Sequence, residues 1–291
     1  MAGKRKMCLS ESKPLYLMDA TWRAELSLDF ARRGERSVLA RRRHHGPLLV
    51  QKSLYPEGEG VCHAVLLHPP GGVAGGDQLE IRIAAEPGAR ALMTTPGATR
   101  WYKRGARGAS RQRLVARVEA DAALEWLPQE NIVFDAADAA LETRLELAQN
   151  AKAIGWEIVC LGRAASGEQP TQARIFQQTD LWLDKKLVWR EQGELYGSSP
   201  LMQAAAGLGG KRVYGTLWLA GIAPCRELLA ALRGVSFKGV ECAATALPQV
   251  TLVRALSDSS EGLRNAFIRC WQIARPAMLG CAAVLPRIWA T

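Results

Sequence analysis

Apolar and polar residues alternate with a period of two along most of this chain, and from Trp22 to about Glu194 it reads as strands. Leu26, Leu28 and Phe30 alternate with Glu25, Ser27 and Asp29; Leu79, Ile81 and Ile83 alternate with Glu80 and Arg82. The run Leu141-Glu142-Thr143-Arg144-Leu145-Glu146-Leu147 has the same period. Successive side chains of an extended chain point to opposite faces, so each run marks a strand with one wet face. Residues 61–67 and 154–161 are apolar runs, as in strands covered on both faces. Turn signals separate them: Arg33-Gly34-Glu35, Pro56-Glu57-Gly58, Glu86-Pro87-Gly88, Thr95-Pro96-Gly97 and Ser166-Gly167.

One segment echoes another. Ala120-Asp121-Ala122-Ala123-Leu124-Glu125 recurs as Ala137-Asp138-Ala139-Ala140-Leu141-Glu142, with Glu86-Pro87-Gly88-Ala89-Arg90-Ala91-Leu92 as a looser relative. Turn-plus-strand units that repeat suggest stacked rungs or a two-sheet sandwich; coincidence in an alanine-rich chain is the alternative.

After about Pro200 the texture changes. Residues 215–222 and 250–256 read as strands, and 224–232 as a short helix with Pro224 in its first turn. Asp258-Ser259-Ser260-Glu261 is a helix start, followed by Leu263, Ala266, Phe267, Cys270, Trp271 and Ala274 on one face. This helix is expected to end before Pro276. The expected fold is mainly β: stacked β-sheets, β-helix-like or a sandwich, with two short helices near the C-terminus. Residues 1–20 are expected to be a flexible segment. Residues 21–291 are expected to form a single domain, β-rich over 21–200 and α+β over 201–291.

The 291 residues carry a formal charge of +10. Such an excess suits a nucleic acid, an acidic membrane surface or an acidic protein. Lys4-Arg5-Lys6, Arg32-Arg33, Arg36 and Arg41-Arg42-Arg43 carry much of it, but Glu25, Asp29 and Glu35 interleave, as on a solvated or partner-facing sheet. Without an RNP-like, helix-turn-helix or zinc-finger pattern, a nucleic-acid-binding module is only an alternative. The seven cysteines form no CxxC pair, no leader pattern opens the chain, and no apolar run approaches the ~20 residues of a membrane helix. A soluble cytoplasmic protein is expected.

All four histidines (His44, His45, His63, His68) lie close together in sequence, with Cys62 among them. A metalloprotein using Cys62, His63 and His68 is a second alternative, but extended geometry opposes it. Cys62 and His63 would face opposite ways, and Cys62 and His68 would lie about 20 Å apart at roughly 3.3 Å per residue. The loop Gly71-Gly72-Val73-Ala74-Gly75-Gly76-Asp77 lacks the Lys-Ser/Thr of a phosphate loop and leads into a strand, not a helix. It reads as a backbone device that allows positive φ and close chain approach, with Asp77 presented or bonded locally. No GxSxG or HExxH motif is present, and no histidine follows His68, so no enzyme activity is expected.

Five blocks stand out in order: Cys62-His63-Ala64-Val65-Leu66-Leu67-His68-Pro69-Pro70-Gly71-Gly72 with Gly75-Gly76-Asp77, then Thr95-Pro96-Gly97-Ala98-Thr99-Arg100-Trp101-Tyr102 and Leu124-Glu125-Trp126-Leu127-Pro128-Gln129-Glu130. Cys160-Leu161-Gly162-Arg163 and the ending Leu285-Pro286-Arg287-Ile288-Trp289-Ala290-Thr291 complete them. Together, and in this order, they resemble the blocks of the UreD (UreH) family of urease accessory proteins, the first being similar to its signature. The resemblance implies a β-helix-like fold and a scaffold role. UreF-type and UreG-type proteins and apo-urease would be the partners in a GTP-dependent chaperone that delivers nickel.

It also implies an internal passage lined by polar and acidic groups, with nickel in transit and no tightly bound cofactor. Asp77, Glu157 and Glu191 match acidic positions of that kind. Glu157 stands out physically, because it interrupts an apolar strand and a buried carboxylate costs several kcal/mol (roughly) unless paired or solvated. A salt bridge to an arginine is the alternative for each of the three.

Overall fold

The computed structural model describes residues 22–223 and 225–290; the segment 1–20 lies outside them. In chain order the strands begin with β1 (Arg23–Arg33), β2 (Arg36–His45), β3 (Leu49–Val50), β4 (Cys62–Leu67), β5 (Gln78–Ala85), β6 (Arg90–Thr94), β7 (Thr99–Trp101), β8 (Ser110–Val118) and β9 (Ala123–Leu127). They continue with β10 (Asn131–Val133), β11 (Asp138–Leu147), β12 (Lys152–Leu161), β13 (Arg174–Leu183), β14 (Lys186–Tyr196) and β15 (Val213–Ala220). Helix α1 (Arg226–Arg233), β16 (Val240–Leu247), β17 (Val250–Ser257) and helix α2 (Ser260–Leu279) complete the order.

These strands form two sheets. One runs β14-β13-β11-β8-β5-β1-β2, and the other β16-β17-β15-β12-β9-β6-β4-β3, with β10 pairing β12 and β7. From β4 to β13 the chain passes back and forth between them. It lays β5, β8, β11 and β13 parallel in the first sheet and β4, β6, β9 and β12 parallel in the second. Each circuit is one coil of a solenoid, so the mainly β, stacked-sheet expectation holds. Antiparallel strands flank the coils: β2 on β1, β14 on β13, and β15, β17 and β16 beyond β12.

The corners of the coils explain the sequence echo. Glu86-Pro87-Gly88-Ala89, Glu119-Ala120-Asp121-Ala122 and Ala148-Gln149-Asn150-Ala151 stack: Gly88 N donates to Ala120 O at 3.0 Å, and Asp121 N to Gln149 O at 3.2 Å. The third residue of each has a positive φ (71, 59 and 60°), which Gly, Asp and Asn tolerate best. The fourth is a buried alanine, Ala89, Ala122 or Ala151. The looser relative is therefore the structural repeat, with Arg90 opposite Ala123 and Ala91 opposite Leu124. The closer echo at 137–142 instead leads into β11, in the other sheet.

Helix α1 is capped by Cys225, whose Sγ accepts from Leu228 N at 3.2 Å. Helix α2 begins as expected, with Ser259 Oγ accepting from Gly262 N at 3.0 Å. It lays Leu263, Ala266, Phe267, Cys270, Trp271 and Ala274 on β12, β15 and β17. The expected stop before Pro276 is wrong: the helix continues to Leu279 and ends at Gly280, whose φ is 69°. Proline removes one donor, but side chains from the sheet secure the last turn. Lys152 Nζ donates to Met278 O at 2.6 Å and Arg90 Nη1 to Leu279 O at 3.3 Å. Among the described residues, no helix is long and apolar enough to cross a membrane.

Candidate functional site

The strand β12 is covered on both sides, and its residues divide accordingly. Ile154, Trp156, Ile158 and Cys160 pack in the core that includes α2, whereas Ala153, Val159 and Leu161 belong to the core between the sheets. Glu157 shares the second parity and so points between the sheets. Around it gather Thr143 of β11, Gln177 and Thr179 of β13, and Glu191 of β14, with Tyr214 and Thr216 of β15 and Arg254 of β17. Apolar layers flank this polar seam, with Leu141, Ile175 and Leu195 on one side and Leu145, Leu181 and Trp189 on the other.

Hydrogen bonds link the polar groups along the seam. Thr143 Oγ1 donates to Glu157 Oε1, Gln177 bonds the same carboxyl, and Tyr214 Oη donates to Gln177 Oε1 at 2.5 Å. Burial pushes the Glu157 carboxyl above its ordinary value against those two hydrogen bonds, and the nearby charge of Glu191 pushes the same way. Burial likewise raises the Tyr214 phenol, with Glu157 and Glu191 adding to it. Glu191 is held differently. Its Oε1 accepts from Arg254 Nη2 at 2.7 Å and Nε at 2.9 Å, and its Oε2 from Thr216 Oγ1 at 3.0 Å.

Two cavities meet this seam. The smaller, about 220 Å³, is bordered by His68, Gly71, Gly72, Thr95, Gln112 and Asn131. The larger, about 790 Å³, opens between β14 and the β16–β17 edge and reaches the loop around Leu201 and Leu208. Among the described residues, Glu157 is the one that lines both. Two buried nitrogens without a protein partner border them, His68 Nδ1 in the smaller and Trp218 Nε1 in the larger.

Of the three acidic positions, the structure brings Glu157 and Glu191 together and sets Asp77 apart. Asp77 is buried and clips its own loop, with Oδ2 accepting from Ala74 N at 2.9 Å and Oδ1 from Trp22 N at 3.2 Å. The glycines beside it allow the close approach expected of them. A Cβ on Gly72 would overlap the Tyr102 ring, and one on Gly75 the Arg104 backbone. The salt-bridge alternative applies to Glu191, which pairs Arg254; Glu157 instead bonds the Thr143 hydroxyl and the Gln177 amide.

The histidines do not converge. His44 and His45 end β2 on the exposed side, and His68 borders the smaller cavity, where burial holds its imidazole below the ordinary value against the charge of Asp77. His63 lies within 2.5 Å of Glu57 Oε1, on the face of β4 opposite Cys62. Among the described residues, no three His, Cys, Asp or Glu side chains gather as a metal site. Of the early basic residues, Arg41 pairs Asp29 and Arg32 pairs Glu35, as expected; further along the same sheet Arg82 pairs Glu80, Arg111 pairs Glu142 and Arg117 pairs Glu146.

Sequence reading missed Thr143, Gln177, Tyr214, Thr216 and Arg254 as parts of the site. Arg254 carried a signal, since it interrupts the apolar run 250–256 just as Glu157 interrupts its own. The others sit in strands whose alternation does not reveal which parity faces inward.

Comparison with known proteins assigns the family. A family model described as the UreD urease accessory protein matches residues 23–290. A protein of Cupriavidus necator named urease accessory protein UreD is 49% identical over 278 residues, covering 94% of this chain and 96% of its own length. Its namesake in Dechloromonas aromatica is 46% identical over 281 residues (93% and 95%), and that of an Azoarcus species 44% over 284 (97% and 99%). With so extensive a match at such identity, this chain belongs to the UreD family of urease accessory proteins.

Proposed function

We propose that this chain is a cytoplasmic scaffold of urease maturation. It works with UreF-type and UreG-type proteins in a GTP-dependent complex that delivers nickel to apo-urease, and the ion passes Glu157 and Glu191. The observation that supports this most is the position of Glu157, between two cavities that border it from different sides. GTP hydrolysis belongs to the UreG-type partner, and the basic surface suits an acidic one.

The chemistry of the seam suits a cargo that must be released. Its groups are carboxyl, hydroxyl and amide oxygens, which hold a first-row divalent ion more weakly than thiolate or imidazole cages do. Burial raises the proton affinity of the Glu157 carboxyl, so protons compete with the cation there, and that competition weakens retention further. The unpartnered nitrogens of Trp218 and His68 suit a wet passage, because water satisfies such groups. Asp77 serves by shaping the loop beside the smaller cavity.

The test is urease activation in cells carrying Glu157→Gln or Glu191→Gln. Each variant should assemble with its partners yet leave urease poorer in nickel and less active. Wild-type nickel content and activity in both would overturn the passage.

A further inference from the structure

An ion pair joins the two sheets along the wall of the larger cavity. Arg254 on β17 and Glu191 on β14 belong to different sheets, and Arg254 shares the parity of Val250 and Leu252, which face the other sheet. Two guanidinium nitrogens reach Glu191 Oε1, and Thr216 supplies a donor to Oε2. Both carboxylate oxygens are thus occupied by donors on the cavity wall, one of them cationic. The side chains are 49% and 38% exposed, so Arg254 has room to move toward solvent.

We propose that Arg254 is a cation gate: it occupies Glu191 until a divalent ion displaces it, and so prevents the mouth from holding the ion. This rests on the passage reading and names the residue that regulates it. An arginine paired at half exposure is screened and readily exchanged. A divalent cation is attracted to the same carboxylate by twice the charge and takes its place. Once the ion leaves, the guanidinium returns, and that return opposes recapture. Without the gate, Glu191 would be a free carboxylate beside Thr216 and Glu157, and the ion would dwell there.

The gate is tested by equilibrium dialysis of the full-length chain against Ni²⁺, together with thermal unfolding. Arg254→Gln should retain Ni²⁺ about tenfold more tightly than wild type, since it removes a positive charge from the ion's side. Adding Glu191→Gln to it should abolish the gain. Arg254→Lys, which keeps the charge but loses the paired contacts, should fall between and serves if the glutamine disturbs folding. Unchanged retention in Arg254→Gln and Arg254→Lys overturns the gate. So does a lowered unfolding midpoint alone, which would make the pair a mere clamp between sheets. These readouts are separate from the passage test: if Glu157→Gln lowers activation while retention stays unchanged, the passage stands and the gate falls. If instead both Glu157→Gln and Glu191→Gln activate normally, the passage reading falls by itself.

Discussion

A carboxyl enclosed between two sheets keeps its proton to a higher pH than it does in the unfolded chain. For Glu157, burial dominates, opposed by Thr143 and Gln177 and reinforced by Glu191. The folded state therefore binds more protons than the unfolded state above the ordinary value of 4.5, and stability falls as pH rises through that window. Glu157→Gln resembles the protonated form and lacks this dependence. The variant should match wild type near pH 4.5 and exceed it increasingly as pH rises above that, read as urea midpoints. A difference that does not change with pH would show that the fold leaves the proton affinity of Glu157 unaltered. This residue was legible because one charge interrupts an apolar strand. Arg254 has the same signature but was read only as part of a strand. Gln177 and Tyr214 had none, since a polar residue at every second position fits an outward face equally well. Only register against neighbouring strands distinguishes the two.

At the scale of elements, α2 is tied to the sheets by charge as well as by its apolar face. The Arg275 side chain is 0% exposed; its Nε lies 3.0 Å from both oxygens of Glu125, and Nη1 and Nη2 lie 2.7 and 2.8 Å from Glu57. Trp271 Nε1 donates to Glu125 at 2.6 Å, and His63 joins at Glu57. Burial alone would favour the neutral guanidine, but the two carboxylates keep Arg275 more firmly protonated than usual. Arg275→Met leaves two buried carboxylates without their cation and should destabilise the chain by about 3–5 kcal/mol. Adding Glu125→Gln should recover part of that loss in urea unfolding. A loss under about 1 kcal/mol in the single variant would mean that the cluster is not ionised as a unit. Periodicity showed the apolar face of α2 and Ser259 showed its start, yet Pro276 misled about its end. The carbonyls of the last turn are satisfied by Lys152 and Arg90, which lie more than a hundred residues earlier. No local rule reaches that far.

Across the whole molecule, the coils place inward-facing residues of successive strands in rows, so side-chain size along one row decides whether the interior is filled. At Gly193 of β14 the row is left open. This residue shares the inward parity of Glu191 and Leu195, lines the larger cavity, and a Cβ added there meets nothing within 4 Å. Its φ is not among the positive ones, so a side chain is compatible with the backbone. Gly193→Leu should therefore extend into the cavity with little effect on folding, within about 1 kcal/mol of wild type. It should nevertheless lower urease activation severalfold, whereas Gly193→Ala, which leaves most of the space, should retain it. Neither substitution alters a charge, so the pair separates passage through the interior from electrostatics at Glu157 and Glu191. Full activation by a folded Gly193→Leu variant would mean that nickel takes another route. Glu157→Gln would then have to act through partner assembly, which co-purification of the complex would reveal.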